Sequence, residues 1–512
     1  MDKIAKINAG QLSKRQVLQA LSFGSGIAED EVEQLIQFFV KTDQWQRLFN
    51  GSIDIVYGPK GSGKSALYAF LDKRKAELQA DKNILLISAE KPRGTPVFKD
   101  VAVEPPTSET EFVGLWKLYF LSLVGNIVLR ERKGESENVD RALDVLNEAG
   151  LVDADMTLAR TLKNVREYLK RALSPDALEG TMQIDPASGL PKGFGVKITL
   201  GQPSSAAAKR GVLSADEVFE LCDLALKDLA CDVWVVLDRL DVAFQENEIL
   251  EENALRALFK AYSDLRGLEK FRLKIFLRND IWKRITDKGF REASHVTKHV
   301  TIEWSEKSIL NLVIRRLVAN DLVCKFYNVK AETVLRSDEE QEKLFYRVFP
   351  PQVRVGEKQP NTLDWILTRT WDGGRTISPR EVIQFLNEAR SKQVQALERG
   401  ENDPDGSHLF SPPTLKSALP EVSRTRLEKT LFAEYPQFKK LISGLISQKT
   451  LQTVETLAKI WGVSKDDARK TADALVGIGF FEQRGNNSAP EYWVPFLYRD
   501  GLKMSQGAAD NE

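Results

Sequence analysis

The sequence is short of several things a protein can be built around. It has three cysteines in 512 residues, Cys222, Cys231 and Cys324, scattered and odd in number. They give no disulfide framework and suggest a reducing compartment. Of its three histidines, His295 and His299 stand four apart. No third ligand accompanies them, so they read as ordinary surface histidines and not as a metal site. An excess of either charge is also lacking, with 73 Lys+Arg against 73 Asp+Glu. That argues against a main task of gripping nucleic acid through bulk charge, and leaves only a local patch open. The most apolar run, Val113 to Leu129, carries Lys117 and Asn126 and falls short of a comfortable bilayer span. The opening "MDKIAKINAG" lacks the apolar centre of a signal peptide. A cytoplasmic protein without membrane partners is expected, and no internal repeat appears.

What is present suits a large globular chain. It is 42% apolar and 29% charged, enough for two to four domains with real cores. Val32, Leu35, Ile36 and Phe39 share one face of an early helix. Strand candidates follow at Ile53–Tyr57, Ile84–Ser88, Val233–Leu237, Leu273–Leu277 and Val300–Trp304. Most are continuous β-branched or Leu-rich runs, as strands covered on both faces of a parallel sheet require. Helical stretches between them make the class α/β. Turn residues within Met182–Gly201 suggest a hairpin insertion. After residue 304 the pattern turns helical, and Gly400–Pro420 is rich in Pro, Ser, Asp and Gly, as linkers are. The expected layout is an N-terminal helical segment over 1–50, a sheet core over 51–304, a helical lid over 305–398, a linker over 399–428 and a small domain over 429–512.

One stretch carries chemistry outright. "GPKGSGKS" fits G-x-x-x-x-G-K-[ST] through Gly58, Gly63, Lys64 and Ser65, between an apolar strand and a helical stretch. Glycines let successive backbone N–H groups converge on an anion, and the helix adds its positive end. The nucleotide-binding candidates are Gly58, Pro59, Lys60, Gly61, Ser62, Gly63, Lys64, Ser65 and Ala66. Lys64 would reach the β- and γ-phosphates of ATP, and Ser65 would ligate Mg²⁺.

Such a loop needs a carboxylate at the end of a neighbouring strand. "DVWVVLDRLD" supplies Asp238 for Mg²⁺, with Asp241 three residues on as a candidate for orienting water. The blander alternative for Asp238 is a helix cap, and for Asp241 a salt bridge. "LKIFLRND" ends a further strand with Arg278, Asn279 and Asp280, polar groups that would face a γ-phosphate if this strand adjoins the Asp238 strand; the blander alternative is ordinary strand-end polarity. In "ISPREVIQFL", Ser378 and Glu381 form the S-x-x-E pattern of a capping box, and Pro379 takes the first helical position. Arg380 then lies where the helix dipole disfavours a cation, which suggests a nearby anion, from a carboxylate or a bound phosphate.

Taken in order, "GPKGSGKS", "WVVLDRLD", "KIFLRND" and "SPREVIQFLNEA" resemble Walker A, Walker B, sensor 1 and sensor 2 of the AAA+/STAND branch of P-loop ATPases. Bacterial ATPases of the origin-recognition-like set are the nearest in pattern, over roughly residues 24 to 395. The resemblance implies a five-stranded parallel sheet and a helical lid with ATP between them. It implies Lys64 and Ser65 as Walker A, Asp238 as Walker B, Asn279 or Arg278 as sensor 1, and Arg380 as sensor 2. Many such enzymes carry Glu directly after the Walker B Asp as the catalytic base, where this chain has Arg239. Hydrolysis would then use Asp241 or Glu90, or be slow. The resemblance also implies homo-oligomers with an arginine finger, for which Arg272, Arg284 and Arg291 are undistinguished candidates.

The last 90 residues are similar to a winged helix-turn-helix. Ala458 and Gly462 are small where two helices meet, and Ser464 can cap the second. Ala468, Ala472, Leu475 and Val476 give that helix one apolar face, with Phe480–Arg484 and Glu491–Val494 as the wing. Its exposed charges, Lys465, Asp466, Asp467, Arg469, Lys470 and Asp473, cancel, so duplex DNA and protein both stand as partners. Two functions are preferred, an ATP-driven switch controlling self-association and partner binding in defence or signalling, or an origin-recognition-like DNA-binding ATPase; Arg239 leaves a non-hydrolysing ATP-binding scaffold as a third.

Overall fold

The computed structural model describes residues 12–27, 30–89, 108–152, 158–172, 198–209, 211–240, 248–287, 289–486 and 488–509. They divide into two compact units. One holds Asp43–Pro59 and Leu67–Thr301, and the other holds Met1–Thr42, Lys60–Ala66 and Ile302–Glu512.

The first unit is α/β, the class expected from the sequence. Its strands are β1 (Ile55–Gly58), β2 (Ile84–Ser88), β3 (Ile198–Thr199), β4 (Leu213–Ser214), β5 (Asp232–Leu237), β6 (Phe271–Arg278) and β7 (His299–Thr301). Five form one parallel sheet in the order β2-β5-β6-β1-β7. The five runs singled out in the sequence are these strands, each shifted by at most three residues at an end. Their apolar character is explained by burial: every residue from Val233 to Leu237 is inaccessible or nearly so. The stretch expected as a hairpin insertion lies outside the described residues apart from its end, where β3 pairs parallel to β4.

One helix, Glu109–Glu131, is long and apolar enough to cross a membrane, and most of it is buried inside the fold. Trp116, Tyr119 and Phe120 are fully enclosed, as core residues should be. Its Lys117 is buried too, with its ammonium 2.7 Å from both Asp216 and Asp264. Burial alone would lower this ammonium's pKa, but the two carboxylates hold it above its usual range.

The second unit shares one core among three parts of the sequence. Val17, Leu18 and Phe23 pack with Ile309, Phe345, Phe385, Phe410, Leu475 and Tyr498. The N-terminal residues therefore belong with the helical region after residue 302. The early amphipathic helix differs from expectation. Only Leu35–Phe38 is helical, and Leu35 and Phe39 are buried while Val32 and Ile36 are exposed.

The stretch read as a linker contains the helix Pro412–Arg426, which packs along the helix Pro379–Glu398. Pro412 and Pro413 lie in its first turn, where a missing N–H costs nothing. Leu415, Ala418 and Val422 bury one face. The prolines that signalled a linker instead mark a helix start. A π-helical turn, Leu427–Leu431, continues it to Phe432–Glu434.

The C-terminal part runs β8 (Lys449–Thr453), helix Val454–Trp461, helix Lys465–Gly477, β9 (Glu482–Asn486), β10 (Ala489–Trp493) and β11 (Ser505–Ala508). The sheet order is β11-β8-β10-β9. Ser464 caps the second helix by accepting from the Asp467 N–H, and Ala468, Ala472 and Leu475 are buried as the pattern predicted. The hairpin strands start two residues later than expected on one side and two earlier on the other. β8 and β11, which complete the sheet, carry no alternating apolar pattern that would have announced them.

Candidate functional site

The glycine-rich loop begins where β1 ends. β1 is apolar and fully buried, and a parallel strand followed by a helix forces a turn that packs little side chain. Gly61 and Gly63 adopt φ of +83° and +100°, values that L side chains rarely reach. The helix Lys64–Lys73 starts directly after them. A Cβ on Gly61 would stand 2.6 Å from the Ser378 hydroxyl and 3.3 Å from the Arg380 Cβ, so glycine is required for space as well as conformation.

The loop's carbonyls are held from outside. Ser378 donates its hydroxyl to the Gly61 carbonyl at 3.1 Å, and the Trp304 indole donates to the Ser62 carbonyl at 2.7 Å. Across a planar trans peptide the C=O and the next N–H point in opposite directions. Holding those two carbonyls outward turns the N–H groups of Ser62 and Gly63 the other way. That is the arrangement an anion nest needs.

This corrects the capping box read at Ser378. Ser378 is the N-cap of the helix Pro379–Glu398 and Pro379 its first residue, but no side-chain cap bond forms. The hydroxyl is spent on Gly61, and Glu381 pairs with Arg426 at 2.7 Å instead of returning to the cap. Arg380 lies in the first helical turn, as expected. Its Nε is buried without a hydrogen-bond partner, as are Ser62 Oγ and, in the sheet unit, Asn279 Oδ1. Orphaned buried polar atoms are rare and call for a missing ligand or water. Within the second unit, the loop N–H groups, the Ser62 hydroxyl and the Arg380 guanidinium are donors that fit a bound polyphosphate.

In the sheet unit, the other residues predicted for the site stand where the parallel strands finish. Gly58, the last residue of β1, is in register with Arg278, the last of β6. Asp238 follows β5 directly and is 3% exposed. Arg239, after it, has φ of +58°, uncommon for a non-glycine residue and costly enough to be seen mostly at functional or tightly determined sites. Arg278 grips Asp280 with both Nε, at 3.0 Å, and Nη2, at 2.7 Å. Asn279 opens the helix Asn279–Asp287. Asp241 and Glu90 lie outside the described residues. Of the arginine-finger candidates, Arg272 bonds the backbone at Leu268 and Phe271, and Arg284 pairs with Glu251. Among the described residues no cluster of His, Cys, Asp and Glu could hold a metal by itself.

Sequence reasoning missed Trp304, which it placed only as a strand end, and Glu434, whose carboxylate pairs with Lys60 of the loop. Neither belongs to a motif. Each is revealed only by where the chain brings it.

No family model and no curated protein matches this chain. Among solved structures it is similar to the ORC2 protein of Aeropyrum pernix, determined in ADPNP–ADP complexes. The identity is 12% and the TM-score 0.30, over 98% of this chain and 97% of that one. At that score the likeness carries no residue role from that protein to this one.

Proposed function

We propose that the protein binds ATP with Mg²⁺ and hydrolyses it slowly, and that its nucleotide state controls self-association and the engagement of a partner. The observation that carries this is the loop itself: two glycines in the left-handed region, two carbonyls pinned outward by Ser378 and Trp304, and Arg380 with an unpartnered buried nitrogen. Lys64 takes the β- and γ-phosphates, and Ser65 and Asp238 hold Mg²⁺. Arg380 reads the terminal phosphates. Asn279 is the better sensor of its strand end, because Arg278 is committed to Asp280. Arg239 occupies the place of the usual base, which supports slow turnover. In this reading the helix pair and β9–β10 hairpin form a winged helix that meets the partner.

Hydrolysis measured with and without duplex DNA at low salt, beside Lys64→Ala, tests the proposal. Slow turnover that the substitution abolishes and DNA leaves unchanged is expected. A chain that neither binds nor turns over ATP would overturn it.

A second reading, a DNA-binding ATPase of the origin-recognition type, draws on the hairpin. Arg484 of β9 lies 4.0 Å over the Trp493 ring, and Arg499 lies 4.3 Å from it. Strong stimulation by duplex DNA would favour it.

A further inference from the structure

The segment from Arg426, the last residue of the helix Pro412–Arg426, to Glu434 touches the loop system at both of its ends. At one end Arg426 bonds the Glu381 carboxylate at 2.7 Å, both side chains being nearly buried. At the other, Glu434 pairs with Lys60. Between these contacts the backbone is π-helical from Leu427 to Leu431, a wider turn seen mostly as a local insertion at functional sites. The same segment is tied to the C-terminal part of the chain. The Gly501 N–H donates to Ser423 Oγ at 2.8 Å, and a Cβ on Gly501 would meet Leu427 at 2.7 Å.

Two carboxylates thus border the loop. The second oxygen of Glu381 is buried without a hydrogen-bond partner and stands 3.6 Å from where a Gly61 Cβ would be. Burial alone would lower the Arg426 pKa, yet Glu381 and the neighbouring Tyr498 and Asp372 hold it above its usual range, so this clamp keeps its charge. A polyphosphate in the loop brings several negative charges beside Glu434 and Glu381, and it competes with Glu434 for the Lys60 ammonium. Like charges in a site poorly reached by solvent repel strongly.

We propose that residues 426–434 form a latch that ties the C-terminal helix–hairpin region to the glycine-rich loop through Lys60–Glu434, and that nucleotide phosphates release it. Nucleotide binding and latch closure are then antagonistic, and by linkage each weakens the other equally. The antagonism rests on the nucleotide reading above; the latch itself does not.

The test uses the full chain, Glu434→Gln, and the non-hydrolysable triphosphate analogue AMP-PNP with Mg²⁺. Glu434 is largely buried, its side chain 13% exposed, but Gln preserves its shape, so the variant should fold; Glu434→Ala provides a second case. Without nucleotide, backbone amides over residues 427–447 should exchange faster in Glu434→Gln than in the wild type. Adding the analogue should accelerate the same amides in the wild type. The variant should bind the analogue about 5-fold more tightly, the lower end of common coupling strengths. Unchanged exchange without nucleotide overturns the latch. Wild-type binding with equal affinity in the variant overturns the antagonism and leaves nucleotide binding intact. No binding by either protein overturns the nucleotide reading and the antagonism with it.

Discussion

β1 has a polar group at each end, and the two ends are built differently. Just before it, Asp54 is buried and fully engaged. It accepts from the Lys274 ammonium at 2.8 Å and the Tyr262 hydroxyl at 3.1 Å. Lys274 also donates to the Ile53 carbonyl at 2.6 Å and lies 4.3 Å over the Trp234 ring. Where the neighbouring β6 ends, Asn279 keeps a buried oxygen with no partner, and the loop that continues β1 does the same at Ser62. Polar groups buried with all their bonds made specify a fold. Those left unsatisfied call for a further partner, such as a bound water or ligand. The polar group where β1 starts is closed in this sense, and the amide where β6 finishes is open.

The largest effect should come from breaking the closed end. Lys274→Met leaves the Asp54 carboxylate buried without its cation, and should cost about 3–5 kcal/mol of stability. Denaturant midpoints would show it. The double variant Lys274→Met with Asp54→Asn should recover most of the loss, because no uncompensated charge remains. A single variant as stable as the wild type would mean that the closed end does not depend on this pair.

The open end should respond the other way, in activity and not in folding. Lys64→Ala should lower ATP turnover by about 10²–10³-fold, as loss of one preorganised charge stabiliser does in other enzymes. The unfolding temperature serves as the control. If stability falls as much as turnover, the contrast between the two ends disappears.

A smaller change should sharpen the contrast. Trp304→Phe keeps a ring beside the loop and removes only the donor to the Ser62 carbonyl. A typical net hydrogen bond, about 1 kcal/mol, predicts nucleotide affinity weaker by about 3- to 10-fold, with turnover at saturation nearly kept. Ser378→Ala should act in the same direction at Gly61. Unchanged affinity in both would show that the loop holds its shape without outside help.

Much of the open end was legible because its residues are consecutive. A strand, a glycine loop and a helix start announce themselves through period, conformation and cap, and "GPKGSGKS" concentrates all three. The strand ends at Asp238 and Asn279 followed from apolar runs that stop at a polar residue. What stayed hidden depends on residues far apart in the chain. Trp304 reaches Ser62 across 242 positions, and Lys274 reaches Asp54 across 220. A lysine in the middle of "FRLKIFLR" gives no sign of which carboxylate will neutralise it. The capping box failed for a related reason. Ser378 and Glu381 had the right spacing, but each found a distant partner, Gly61 and Arg426, that outcompeted the local one. The misread linker shows the limit of composition. Prolines at 412 and 413 permit a helix start as readily as a loop, and only the packing of Leu415 and Val422 decides which.

A carboxylate of the second unit offers the mildest test of what closing a polar group requires. Asp372 accepts the N–H groups of Gly374 and Thr376 at 3.0 Å each, and its loop is bonded to the Gly479 carbonyl through the Gly373 N–H at 2.7 Å. Two backbone donors would lower a carboxyl's pKa, but burial is the larger influence and raises it. The folded chain then holds a proton that the unfolded chain releases. Its contribution to stability is complete below the unfolded value, about 3.9, and is lost as pH climbs through the raised folded value. Asp372→Asn is neutral at every pH, so it should remove that portion of the slope. Unfolding temperatures between about pH 4 and 6 should fall less steeply with rising pH in the variant than in the wild type. Matching slopes would mean that Asp372 is ionised in the fold across that range. Its two backbone bonds would then close a carboxylate as fully as the lysine closes Asp54.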